Sequence, residues 1–285
     1  MRYLIAGRNG QLARAFIRMF EERAFDFSAP DESHFDITDS ASVSDIIDSY
    51  KPDVIINCAA YNLVDKAEQD RNRAFAVNAT GPELLARAAA LRKVFLVHYS
   101  SDYVFDGQKE NGLYMEDDAV NPLNEYGKSK LAGEGAVRVE AGKYLVFRLS
   151  WVFGEGKQNF IHKLMHWAQS NEYLKIACDE FSVPTHTDTV AGVTLKALEQ
   201  GVTGLYHLTN SGFCSRYEWA QTIFRELGIN KFIRPVASTV FNLPAKRPGF
   251  SAMSNEKISR LLDIRIPSWE EGVRSYLHER ELFHE

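Results

Sequence analysis

Tyr3-Leu4-Ile5-Ala6-Gly7-Arg8-Asn9-Gly10-Gln11-Leu12-Ala13 opens the chain: an apolar run breaks into a glycine-containing turn and then into the helix-like stretch Arg14 to Glu22. A strand, a tight turn and a helix N-terminus in that order make an anion site. Backbone N–H groups and the positive end of the helix dipole converge there, and glycine lets the backbone come close. Gly7 and Gly10 supply the glycines, and Ala13 stands where the dinucleotide fingerprint tolerates a small helix-packing residue. The spacing departs by one residue from Gly-x-Gly-x-x-Gly, so an ordinary strand-to-helix turn is the competing reading of this stretch taken alone. An acidic residue about 20 positions further on would hold the ribose of NAD. Phe25-Asp26-Phe27-Ser28 and the more distant Asp31 offer no single assignment. Arg8 is a candidate for the 2′-phosphate of NADP, with a solvated loop arginine as the alternative, and the reading leans slightly to NADPH over NADH.

Outward from this turn, short apolar runs recur at Val54 to Cys58, Val94 to Tyr99 and Tyr144 to Leu149, with helix-like segments such as Gly81 to Leu91 between them. Continuous apolar runs suit strands buried on both faces, and the alternation predicts an α/β fold with a Rossmann-type doubly wound parallel sheet. Beyond Trp151 the pattern loosens, with Pro184, Pro235, Pro244, Pro248 and Pro267 marking turns between helical pieces such as Tyr217 to Leu227 and Trp269 to Glu281. The expected division is a dinucleotide-binding unit over residues 1–152, rejoined by about 186–210 because Gly204 to Asn210 again reads as a buried strand, and a mainly substrate-binding lobe over 153–285.

Composition removes several classes of function. With 38 acidic against 33 basic side chains and no basic cluster, nothing tracks a nucleic-acid backbone. Cys58, Cys178 and Cys214 form neither a Cys-x-x-Cys pair nor an even-numbered framework, which argues against a disulfide scaffold or structural zinc and fits a reducing cytoplasm. The N-terminal residues enter a strand at once without the features of an export signal, and charged residues interrupt every apolar run well short of the roughly 20 needed to cross a bilayer. A soluble, cytoplasmic protein is expected.

Tyr126-Gly127-Lys128-Ser129-Lys130 opens a helix-like stretch in which a spacing of four puts the Tyr126 phenol and the Lys130 ammonium on one face. A free tyrosine titrates near 10, and a neighbouring cation that favours the phenolate brings it closer to working pH. An exposed helix face would show the same spacing. Tyr99-Ser100-Ser101-Asp102-Tyr103-Val104-Phe105 follows the apolar run Val94 to Val97, at the strand edge where open α/β sheets bind ligands. Ser101 could there share a carbonyl oxygen with Tyr126, or merely hold a turn.

Together these blocks resemble the extended short-chain dehydrogenase/reductases and, within them, the dTDP-4-dehydrorhamnose reductase family. The resemblance runs through Gly7 to Leu12, Asp36-Ile37-Thr38-Asp39, Asp53 to Tyr61, Val64-Asp65-Lys66-Ala67-Glu68, Val77 to Gly81, Ser101 to Phe105, Tyr126 to Lys130, Arg148 to Gly154 and Lys246-Arg247-Pro248. It implies NAD(P)H-dependent reduction of a keto group on a nucleotide-linked sugar. Gly10, Gln11 and Leu12 match the pyrophosphate turn, Asp36 and Ile37 the adenine contact, and Ala59, Ala60 and Tyr61 the strand end beside the cofactor's ribose and phosphates. Tyr126 matches the general acid, Lys130 the lysine that bonds the nicotinamide ribose and lowers the tyrosine pKa, and Ser101 the hydroxyl that polarises the keto oxygen. Ser101, Asp102 and Trp151 match positions at the sugar, with Tyr103 offering a further apolar face there. Asn78 matches a helix asparagine near the active site, and Arg247 is a candidate for the nucleotide's diphosphate.

Serine stands at position 101 where the family more often has threonine, which keeps the hydroxyl. Some similar proteins form magnesium-linked dimers through a glutamate early in the first helix; Ala13-Arg14-Ala15-Phe16 lacks it, so no metal and a monomer or weak homodimer are expected. Tyr103 occupies the place of the glutamate that dehydratases on this fold need, disfavouring dehydration, whereas an epimerase stays open. The block from Ser100 to Gly107 also resembles the non-catalytic β subunit of methionine adenosyltransferase, which keeps a regulatory-subunit reading open.

Overall fold

The computed structural model describes residues 1–278. Strands β1 (Arg2–Ala6), β2 (Asp26–Ser28), β3 (Val54–Asn57), β4 (Phe95–Ser101) and β5 (Lys143–Leu149) join the strand Gly204–His207 in one sheet. Its order is Gly204–His207, β5, β4, β3, β1, β2, and every adjacent pair is parallel. The chain leaves β1 for β2 on one side and returns as β3 on the other, so a crevice opens where the direction of winding reverses, at the C-terminal ends of β1 and β3.

The apolar runs are continuous because both faces of the sheet are covered. Successive residues point to opposite faces: Ile5, Ile56, Val97 and Phe147 pack on one side with Phe16 and Phe20 of α1 (Gln11–Glu22) and with Val190 and Ala191 of the helix Thr187–Glu199. Their neighbours Leu4, Ile55, Leu96 and Val146 pack on the other with Val43 and Ile47 of α2 (Ser40–Tyr50) and with Leu85 and Ala89 of the helix Gly81–Arg92. Register follows the same logic, with Ile55 opposite both Leu4 and Leu96, since a slip of one residue would exchange the two faces. The late apolar stretch does return to this sheet, as Gly204–His207 beside β5. β4 runs on to Ser101, past the Tyr99 end expected from apolarity, because the ladder to β5 still pairs Ser100 with Arg148 and Ser101 with Leu149.

A second core lies beyond β5. Phe153, Ile161, Leu164, Trp219, Ile223 and Trp269 pack together between the helices Phe160–Ser170, Arg216–Glu226 and Trp269–His278. Among the described residues its strand pairs are two to four residues long, among them Phe181–Ser182 with Cys214–Ser215 and Leu174–Ala177 with Ile233–Val236, which accounts for the loosened pattern. The helix expected over Trp269 to Glu281 is present from Trp269 to His278; its last three expected residues lie outside the described ones.

Candidate active site

The glycine turn closes directly on the end of β3. Gly7 has φ +79°, and a Cβ there would lie 2.5 Å from the Ala59 nitrogen, so both conformation and space exclude a side chain. The Gly10 N–H donates to the Gly7 carbonyl at 2.9 Å, and Gly10 then caps α1 without any side-chain bond to its first turn. The leading N–H groups of α1 are therefore open to a ligand. A cradle with no room for a side chain and with donors and a helix dipole aimed into it fits a dinucleotide pyrophosphate.

Around this cradle the remaining expected contacts fall into place unevenly. Ala59 donates its N–H to the Asn57 side chain at 3.1 Å. Asn78, buried in a π-helical turn at Ala76–Thr80, accepts from the Tyr61 N–H at 2.8 Å, donates to the Tyr61 carbonyl at 3.0 Å and to the Ser129 hydroxyl at 3.0 Å. It thus ties the loop after β3 to the helix Glu125–Glu140 that carries Tyr126. Asp36 accepts from the Thr38 hydroxyl and N–H at 2.7 and 2.8 Å, bonds that hold its carboxyl below the usual range, and Ile37 is buried against Gly81. Asp26 takes the Tyr50 hydroxyl at 2.9 Å, while Arg8 is exposed. The Gln11 side chain reaches out of the turn and accepts from the Gly154 N–H at 3.0 Å and from Asn159 Nδ2 at 3.2 Å.

Tyr126 stands at the start of its helix, capped by Asn124, whose Oδ1 accepts from the Gly127 N–H at 2.7 Å. Gly127 has a local reason: a Cβ there would lie 2.3 Å from the Tyr103 carbonyl, so glycine lets the helix sit flush on the end of β4. The Tyr126 hydroxyl donates to Asn62 Oδ1 at 3.4 Å. Burial pushes its pKa up to about 12, with the Ser101 hydroxyl acting against that and the Asp102 charge adding to it. This differs from the expectation that Lys130 draws the phenol downward. Lys130 is buried with Nζ donating to the Tyr99 carbonyl at 2.6 Å, and burial pushes its own pKa down to about 8. The ammonium spends one of its three donors on the strand, and the Tyr126 phenol, raised by burial, is protonated at neutral pH.

Ser101 ends β4 and accepts from the Tyr103 N–H at 3.2 Å while its hydroxyl donates to Asp102 Oδ1 at 3.1 Å. Asp102 is buried, and its Oδ2 accepts from Ser182 at 2.9 Å and Ser251 at 2.6 Å. Both oxygens carry hydroxyl donors, and the carboxylate ties the end of β4 to the second core. Tyr103 is also buried, its ring edge-on to Tyr126 at 5.8 Å between centroids.

A cleft of about 880 Å³ opens in the second lobe, lined among others by Trp151, Phe160, Glu180, Arg216, Trp219 and Arg247. Trp151 leaves β5 with φ +38°, a left-handed conformation costly for an aromatic residue and of the kind that collects at ligand sites. Its ring stacks on Trp219 at 5.7 Å, and the Arg216 guanidinium lies 3.6 Å from its centroid. Among the described residues Arg216 makes no hydrogen bond or ion pair, so its N–H groups remain available to an anion, and burial lowers its pKa. Arg247 lines the same cleft, held by Asp65 at 3.0 and 2.6 Å and by the Ala245 carbonyl at 3.0 Å. Burial pushes the Glu180 carboxyl up, with Arg216 and Arg247 opposing.

The structure therefore gathers Ser101, Tyr126 and Lys130 at the sheet end and places Trp151 and Arg247 in the cleft; Tyr103 lies between, under the influence of both Arg216 and Arg247. Sequence reasoning missed Phe160, Glu180, Arg216 and Trp219. Ser215 and Glu218 do form a reciprocal capping box readable as Ser-x-x-Glu, which marks the helix start beside Arg216 but not the direction of its side chain.

The sequence model for the RmlD substrate binding domain matches residues 1–282. The chain is 36% identical to the dTDP-4-dehydrorhamnose reductase of Escherichia coli (strain K12), covering 98% of each chain. Among solved structures it superposes on a dTDP-4-dehydrorhamnose reductase of Clostridium acetobutylicum ATCC 824 with a TM-score of 0.95 at 35% identity, covering 99% of this chain and 100% of that one. The enzyme of the same description from Bacillus anthracis str. Ames, solved in complex with NADP, gives 0.93 at 33% identity over 98% and 99%.

Proposed function

Because this chain belongs to the dTDP-4-dehydrorhamnose reductase family, we propose that Tyr126, Ser101 and Lys130 carry out its reaction, the NAD(P)H-dependent reduction of the 4-keto group of dTDP-4-dehydrorhamnose to dTDP-L-rhamnose. The observation that carries this reading is the meeting, at one sheet end, of a backbone cradle at Gly7 and Gly10, with no room for a side chain at Gly7, and a phenol beside a serine hydroxyl.

Gly7, Gly10 and the first turn of α1 hold the pyrophosphate, with Gln11 and Leu12 at the helix entry; Asp36 and Ile37 flank the adenine, and Ala59, Ala60 and Tyr61 the ribose and phosphates. NAD(P)H held there would supply the hydride that the reduction of the sugar C4 needs. Tyr126 gives its proton to the keto oxygen as the C–O π bond opens, and regains one from solvent. Ser101 donates a hydrogen bond to that oxygen as charge develops on it, and electrostatic aid at such an atom is effective because the donor is already placed. Lys130, fixed on Tyr99, orients the nicotinamide ribose. Arg8, exposed in the turn, favours NADPH.

The second-lobe cleft receives the rest of the substrate. Trp151 and Tyr103 offer apolar faces to the deoxysugar, and Arg216, a half-buried cation that makes no ion pair among the described residues, takes the diphosphate, with Arg247 contributing charge from its Asp65-held position. We assign residues 1–152, with 186–210, to dinucleotide binding and 153–285 mainly to substrate binding. Among the described residues no helix is long and apolar enough to cross a membrane; a cytoplasmic monomer or weak homodimer without metal or nucleic-acid partners completes the reading.

A coenzyme deuterated at the transferred position of the nicotinamide tests it. Deuterium at C4 of a product identified as dTDP-L-rhamnose supports the assignment, and a protein that binds coenzyme yet transfers no deuterium to this ketosugar refutes it.

A further inference from the structure

Ser182 and Ser251 come from separate segments of the second lobe, one in the short strand Phe181–Ser182 and the other just past Phe250, and both are buried. Each points its hydroxyl at the same carboxylate oxygen, Asp102 Oδ2, at 2.9 and 2.6 Å. Ser182 is itself positioned by Ser150, and Ser251 also lies 3.0 Å from Ser182. The opposite oxygen, Oδ1, has the Ser101 hydroxyl at 3.1 Å.

This division matters because a serine hydroxyl has one proton. Whenever Ser101 donates to Asp102 it cannot donate to a substrate carbonyl, and whenever it turns to the carbonyl, Asp102 loses one of three donors inside a buried site. A buried carboxylate deprived of donors is strongly disfavoured. We propose that Ser182 and Ser251 are positioning residues for the reduction: by holding Asp102 through Oδ2 they release the Ser101 proton from Oδ1 to the keto oxygen. The inference rests on the reductase reading given above and extends it to residues buried behind Asp102.

Burial pushes the Asp102 carboxyl up, opposed by the Ser251, Ser182 and Ser101 hydroxyls and by Arg216 from the helix Arg216–Glu226; the Tyr103 and Tyr126 phenols also face it. With Ser182 and Ser251 removed, an ionised Asp102 keeps the Ser101 proton and the reaction slows. A protonated Asp102 instead donates to Ser101 Oγ and frees that proton again. Loss of donors raises the carboxyl pKa, so the protonated form returns as pH falls.

The test is a steady-state comparison of the full-length protein with Ser182→Ala, Ser251→Ala and the double variant, using dTDP-4-dehydrorhamnose and NADPH across pH. Each hydroxyl lost from the carboxylate is expected to lower kcat about tenfold at neutral pH, with KM for the sugar nucleotide little changed and the ratio of wild-type to variant kcat growing as pH rises. Asp102→Asn supplies the second arm: in that background, removing either serine should cost less than a further twofold, because the charge through which they act is gone. A kcat ratio independent of pH, a loss confined to KM, or full additivity with Asp102→Asn would overturn the proposal. Coenzyme binding measured on each variant separates misfolding, and if the double variant fails to bind, the single variants decide. An inactive wild-type protein would instead sink the reductase reading itself.

Discussion

At the crevice between β1 and β3 the ligand-facing groups are mostly backbone: N–H groups at the start of α1, held open by a glycine that cannot carry a side chain. In the cleft of the second lobe they are side chains, the stacked pair Trp151 and Trp219 with Arg216 lying on them. A backbone cradle is rigid and tolerant of sequence except where a Cβ intrudes, and it suits a cofactor part that never varies. A side-chain cleft can be retuned one residue at a time, and it suits the group that distinguishes one substrate from another. The proposed chemistry sits where the two meet, at Ser101 and Tyr126, on the strand end and helix start that the sheet positions.

The comparison is broken most severely at that meeting point. Tyr126→Phe keeps the ring and loses the proton, and kcat is expected to fall by about 10²–10⁴-fold with coenzyme affinity retained, as stopped-flow reduction and coenzyme titration would show. Gly7→Ala attacks the backbone region alone. With φ at +79° and a Cβ 2.5 Å from Ala59 N, the strained turn should cost about 1–3 kcal/mol and coenzyme binding should weaken before sugar-nucleotide binding does; calorimetric titration with each ligand separates the two. Arg216→Ala attacks the side-chain region alone, and the KM for the sugar nucleotide should rise about tenfold to a hundredfold through a lost charge-assisted bond. Arg216→Lys should recover only part of this, since the flat guanidinium that lies on Trp151 is lost. Arg8→Ala, at an exposed position, is the mildest: the preference for NADPH over NADH should fall by about two- to fivefold, read from the ratio of kcat/KM values.

The two regions also differ in how far they could be read before the structure. β1, its turn and α1 are contiguous, and the steric demand at Gly7 is written as a glycine at a strand end. Tyr126 and Lys130 were legible for the same reason, since helical geometry alone puts them on one face. The cleft brings Trp151, Phe160, Glu180, Arg216 and Trp219 together from distant segments joined by strands of two to four residues. No periodicity marks which of their faces turn inward, and the positive φ of Trp151 has no sequence sign. Asp102 is enclosed by three serines and Arg247 is clamped by Asp65, because acceptors and donors that lie within reach inside a fold are bound first by the protein itself.

The central claim is that the phenol at the sheet end acts on the molecule held in the cleft. The direct measurement is the rate of NADPH consumption with dTDP-4-dehydrorhamnose at saturating coenzyme, for the wild-type protein and for Tyr126→Phe with its coenzyme affinity verified. Rapid turnover that the variant loses while still binding NADPH is the predicted result. Equal rates in the two proteins, or no turnover by a wild-type protein that binds both ligands, would contradict the account.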